Sequence, residues 1–153
     1  MTNIETYQQL RVLSGIEFHH ALRELESKMM DLLPEDQKID PPLKHYFATN
    51  VYVREMVLKE GEVLIGKTHR HDHIFNMIKG RAVVFSEQGH FVLNAPFTFT
   101  AEKGAKRMFF AVEDCIFQTT HVTSQTDLAE IEKEVIVPPE EIDAFRQSHG
   151  MEV

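Results

Sequence analysis

The sequence predicts a mainly β domain, a compact sandwich or barrel, with a helical segment before it and a short helix after it. Three observations point there. Between residues 45 and 122, turn signals recur about every five to ten residues: Glu60-Gly61, Gly66, Asp72, Lys79-Gly80, Gln88-Gly89, Asn94-Ala95-Pro96, Lys103-Gly104 and Glu113-Asp114. That is the rhythm of short antiparallel strands. The pieces between these turns are rich in β-branched and aromatic residues. Apolar residues at helical spacing are confined to the two ends of the chain.

Residues 1–33 read as helix. Leu10, Leu13, Ile16 and Phe18 lead into Ala21, Leu22, Leu25, Met29 and Leu32, whose spacings of three and four mark one face. Gly15 is placed to break the segment in two, and Glu24, Glu26 and Lys28 to face solvent. Pro34 stops the pattern, and 34–42 reads as a connector containing Pro34, Pro41 and Pro42. In the first expected strand Val51, Val53, Glu55 and Val57 alternate with Tyr52, Arg54, Met56 and Leu58. Further strand pieces are 63–65, 82–85, 97–100, 108–112 and 115–122. Phe75, Met77, Phe97, Phe99, Phe109 and Phe117 are the expected core aromatics and methionine. After residue 123, Ser124-Gln125-Thr126-Asp127 caps a helix through Leu128, Ile131 and Val135. Pro138-Pro139 ends it, Pro139 opens a turn containing Ile142 and Phe145, and 149–153 is expected to be loose. The organisation is therefore a helical segment with connector (1–41), a β domain (42–123) and a C-terminal helix with tail (124–153).

Composition narrows the function classes. The chain has 153 residues, enough for one domain with its own core. A net charge of −8 disfavours a protein that coats nucleic acid or binds anionic membranes. The longest apolar run, 108–112, is far short of the roughly 18 residues of a membrane span, and no secretory leader is expected at the N-terminus. A single cysteine, Cys115, excludes an intrachain disulfide and reads as a small buried residue in a reducing, cytoplasmic setting.

Nine histidines are the anomaly. His69, His71 and His73 stand at alternate positions and face one way if the segment is extended. Three imidazoles on one face form a facial site suited to zinc, iron, copper, nickel or manganese. If Asp72 forms a turn, His71 swings out and the third ligand comes from another strand. His121, on the last expected strand, then leads over Asn76, Glu55 and Glu62. His19 and His20 read as packing or surface residues of the N-terminal helix, and His90 as a solvated turn residue. His45 is placed to cover a pocket mouth.

Residues 66–80 resemble the first motif of the cupin superfamily, a small β-barrel that holds a metal between its strands. Gly80 fits the motif's closing glycine. His73 stands where the motif has its glutamate and His69 where it has its second histidine, while Lys67 stands in the place of the first unless His71 substitutes. Residues 102–107 resemble the second motif: Gly104 is kept, but Arg107 replaces the histidine, and arginine stays protonated and does not ligate metal. The stretch 42–137 is similar to small single-domain cupin-like proteins encoded by bacteriophages and prophages. It is similar through Gly66-Lys67, His69, His73, Lys79-Gly80-Arg81, 95–99, 104–107 and 119–123. The resemblance implies a jelly-roll β-barrel with one divalent transition metal (Fe, Zn, Ni or Mn) held by His69, His73 and either His71 or His121. It also implies association into a homodimer or larger homo-oligomer.

Two functional readings follow. In one, the metal site acts on a small anionic molecule that Arg107 grips bidentately. In the other, the barrel is a non-catalytic ligand- or protein-binding module, a phage accessory or structural component. No nucleophile elbow, phosphate loop or paired-cysteine motif is present in the sequence.

Overall fold

The computed structural model describes residues 3–32 and 41–153. The connector expected over 34–42 lies outside them save for Pro41 and Pro42. The N-terminal segment is two helices, α1 (Asn3–Val12) and α2 (Gly15–Leu32). Gly15 makes the break: its φ of +56° is left-handed, a region that costs other residues a clash at Cβ. Its N–H bonds to Glu87 O at 2.7 Å.

Nine strands follow: β1 (Leu43–Ala48), β2 (Val51–Leu58), β3 (Val63–Ile65), β4 (His73–Lys79), β5 (Arg81–Ser86), β6 (Gly89–Asn94), β7 (Phe97–Ala101), β8 (Met108–Ala111) and β9 (Cys115–Val122). They form two antiparallel sheets, β1-β2-β9-β4-β7 and β3-β8-β5-β6. The chain crosses between sheets at β2 to β3, β3 to β4, β4 to β5, β6 to β7, β7 to β8 and β8 to β9, a jelly-roll sandwich of the kind the sequence resemblance implies. After the sandwich come α3 (Leu128–Val135), a 3-10 turn (Pro139–Glu141) and α4 (Ile142–Ser148).

Between the sheets lies a core that includes Met56, Leu58, Phe75, Met77, Phe109 and Phe117. Each such side chain contributes about 1.5–3 kcal/mol by leaving water. Phe97 is the exception among the expected core residues: it sits on edge strand β7 and is 42% exposed. A second apolar layer covers the other face of the four-stranded sheet, where Leu10, Phe18 and Leu22 of the helices meet Phe85 and Met108. The α2 stripe buries only its first part; Met29, Met30 and Leu32 are exposed. An 18-residue helix spans about 27 Å and outruns the roughly 20 Å of a six-residue strand.

Gly80 joins β4 to β5 with φ +91°, and a Cβ there would lie 2.3 Å from Asp114 O. The expected caps form. Asp127 accepts the Glu130 N–H at the start of α3. The C-terminal residues are tied down rather than loose: Met151 N bonds to Arg146 O, and Arg146 Nε donates to Glu152 O. Arg146 itself is 2% exposed, pairs with Glu87 at 2.7 Å and donates to Gly104 O. No helix among the described residues is long and apolar enough to cross a membrane.

Candidate metal centre and cavity

Three histidines from three separate segments converge at one end of the sandwich. His73 begins β4 and His121 lies near the end of β9, two central and antiparallel neighbours of the five-stranded sheet, so alternation turns both inward. His69 precedes them on an irregular segment pinned from two sides. It bridges Ile136, Arg70 N bonds to Val135 O, and Val137 N bonds to Thr68 O at 2.9 Å. From the other side Gly104 N bonds to His69 O. Asp72 accepts the Lys103 N–H at 2.9 Å, which holds the bend between His69 and His73.

The ring centroids are 4.1 Å apart for His69 and His73, 5.2 Å for His69 and His121, and 4.8 Å for His73 and His121. One ligand nitrogen from each ring lies within 4.8 Å of the others, close enough for one ion to reach all three. His73 and His121 are buried, and His73 Nδ1 has no hydrogen-bond partner among the described residues. His121 Nε2 lies 2.9 Å from Thr119 Oγ1.

All three imidazoles are held neutral. Burial pushes the His73 pKa down to about 4, aided by the Arg107 charge. Burial and the neighbouring His73 and Arg54 push His121 down to about 3. His69 falls well below the usual value, through burial first and then His73, His121 and Arg54. Neutral imidazole is the ligating form. An orphaned buried ring nitrogen beside two more neutral ring nitrogens fits a divalent transition metal.

The other sequence candidates fall elsewhere. His71 is exposed on the bend and outside the trio. Glu55 is on the outer face of the sheet, accepting from Gln118 at 2.9 Å with Lys44 at 3.8 Å. Asn76 shares that face and accepts from Thr98. Glu62 is exposed and caps the Lys59 N–H. Lys67, in the place of the motif's first histidine, pairs with Glu132 at 2.7 Å. His45 stacks on Tyr52, with its Nδ1 2.7 Å from the phenol oxygen, and Tyr52 in turn stacks on His121. His90 and His20 are exposed, and His19 is buried.

His69 and His73 open onto a cavity of about 90 Å³ between the sheets. Its walls are apolar, with Met56, Leu64, Phe75, Phe99, Phe109 and Phe117. Arg107 enters it from the segment before β8. Its guanidinium carbon sits 5.7 Å from the Phe99 ring centroid, and burial lowers its pKa. Arg54 enters from β2 on the opposite sheet. Arg54 and Tyr52 are the residues that sequence reasoning passed over. Their signal was present in the β2 alternation, which puts Tyr52 and Arg54 on the same face as Met56 and Leu58.

No family model matches the chain. No curated protein is similar to it either. Solved structures are similar in fold. A cupin-2 domain containing protein from Shewanella frigidimarina is 11% identical with a TM-score of 0.47, covering 63% of this chain and 91% of its own. A protein with a double-stranded β-helix domain from Klebsiella pneumoniae is 18% identical with a TM-score of 0.49, covering 62% and 85%. KdgF from Halomonas sp. is 18% identical with a TM-score of 0.46, covering 53% and 77%. The chemistry of the site is read from this chain's own residues.

Proposed function

We propose that the chain holds one divalent transition metal (Fe, Zn, Ni or Mn) through His69, His73 and His121, and that the adjoining cavity takes a small anionic molecule. One observation carries this reading. Three neutral imidazoles from separate segments converge beside a largely apolar cavity, and one of their buried nitrogens has no partner among the described residues. When bound, the metal supplies Lewis-acid chemistry or, if iron, redox chemistry.

The chain's own residues do the rest. Arg107 presents a desolvated guanidinium to a carboxylate or phosphate, a charge-assisted interaction strengthened by the low local dielectric. Phe75, Phe99, Phe109 and Phe117 exclude water. Thr119 and Tyr52 fix the His121 ring from its edge and face. Glu102 is the one carboxylate lining the cavity, which leaves room for a second reading in which the site binds its ligand without turning it over.

Elemental analysis of untagged protein tests the metal. About one equivalent of a transition metal in the wild type, lost in a folded His69→Ala/His73→Ala variant, is expected. Less than about a tenth of an equivalent after reconstitution with each metal overturns it.

A further inference from the structure

Arg54 has no role in the reading above, yet it and Arg107 reach the cavity from opposite sheets; Lys67, the third cation lining it, is bonded to Glu132 at 2.7 Å. Among the described residues, neither Arg54 nor Arg107 makes an ion pair or a side-chain hydrogen bond. The acids nearest them are engaged or fall short. Glu132, whose carboxyl feels Arg54, is bonded to Lys67 at 2.7 Å. Glu87, which feels Arg107, is bonded to Arg146 at 2.7 Å. Glu102 lines the cavity and is exposed, without pairing to Arg107.

Two half-buried guanidiniums with no carboxylate bonded to them, one of them over the Phe99 ring, offer a bound anion charge-assisted hydrogen bonds in a largely apolar cavity. The chain as a whole is strongly acidic, so this local excess of positive charge is specific to the cavity. Arg54 lines the cavity from β2 in one sheet, and Arg107 lines it from the segment before β8 in the other.

We propose that Arg54 and Arg107 are the two ends of a clamp for a small dianion with separated charges, a short-chain dicarboxylate whose apolar middle lies against the phenylalanine wall. This rests on reading the cavity as a small-anion site. A cavity of about 90 Å³ points to a small ligand. At roughly 10–15 Å³ per water-sized probe it admits about six to nine non-hydrogen atoms, the range of three- to five-carbon diacids.

The test is calorimetric titration at fixed ionic strength with malonate, succinate and glutarate, against succinamate (one end neutral) and inorganic phosphate (a compact dianion). One of the diacids is expected to bind at least about tenfold tighter than succinamate. Arg54→Gln and Arg107→Gln, each checked for folding, are each expected to erase that preference, and Arg54→Lys to restore part of it. Equal binding of diacid and succinamate, tighter binding of phosphate than of any diacid, no binding of any diacid, or an intact preference in folded Arg54→Gln overturns the clamp. If a glutamine variant does not fold, the wild-type comparison of succinate with succinamate decides. The titration is repeated after chelator treatment. A preference that survives there supports the clamp whatever elemental analysis says of the metal, and one that vanishes in chelator-treated but folded protein overturns it.

Discussion

His121 lies edge-on to Thr119 and face-on to Tyr52, with its Nε2 2.9 Å from the threonine hydroxyl and its ring centroid 6.0 Å from that of the tyrosine. Both contacts hold the ring where His69 and His73 can share an ion with it. Removing Thr119 Oγ1 by Thr119→Val is expected to weaken metal binding by roughly 10–100-fold without unfolding the chain. His121→Ala is expected to weaken it further. Competition titration with a metal indicator reads both.

His71 is exposed and stands outside the trio. His71→Ala is expected to leave metal stoichiometry and affinity within about twofold of wild type, since surface substitutions away from special features shift energies by about 0.5 kcal/mol or less. The same indicator titration checks it, and a large loss of affinity would place His71 among the ligands.

Metal is also expected to stabilise the fold. At about 100 times its dissociation constant a ligand that binds only the native state adds roughly 2.7 kcal/mol. For a domain of this size that raises the melting temperature by roughly 5–10 °C. Scanning calorimetry with and without zinc or nickel reads the shift, which His73→Ala is expected to abolish.

His19 sets a pH limit on the helical layer. It is fully buried in α2 with neither ring nitrogen partnered among the described residues, and Arg146, Arg23, Lys106 and the His20 ring lie near enough to act on it. Burial, then those charges, lower its pKa to about 4. Above about pH 6.5 the ring is neutral in both folded and unfolded chains. Between that value and about 4 the unfolded chain takes up a proton that the folded chain refuses, so stability falls on acidification. The shift corresponds to roughly 3 kcal/mol. Urea unfolding at pH 7 and pH 4.5 is expected to show a smaller loss for His19→Leu than for wild type. The difference between the two proteins isolates His19 from the metal-site histidines, which titrate in the same direction.

Gly80 is the other fixed point. Gly80→Ala meets both a left-handed backbone and the Asp114 carbonyl, and a loss of roughly 3 kcal/mol or more is expected in equilibrium unfolding.

Much of this architecture was legible in the sequence. Turn residues such as Gly61, Gly80 and Gly89 carry positive φ where turns were expected, and six of the nine strands lie on the expected strand pieces. β1, β4 and β6 lay outside the expected strand pieces for a physical reason. Alternation reads clearly only when one face is polar, and β4 presents Ile74 and Ile78 outward while burying Phe75 and Met77. β6 likewise exposes Phe91 and Val92. The pairing of His69 with His73 across a bend follows from local spacing. Arg54 was harder to read: an arginine in an alternating strand looks like a solvent-facing residue until the opposite sheet closes a cavity over it.

The hydrogen bonds that pin Thr68 and Arg70 to Val135 and Val137 give the C-terminal segment a hold on the metal centre. Coupling of this kind is reciprocal. An occupied site is therefore expected to slow hydrogen exchange at the Arg70 and Val137 amides and to shield the segment after α3 from proteases. Conversely, a cut between α3 and α4 is expected to loosen one of the two holds on His69 and lower metal affinity, although the cleavage point touches no ligand. The far end of the chain thus serves as a latch whose closure can be followed without any substrate.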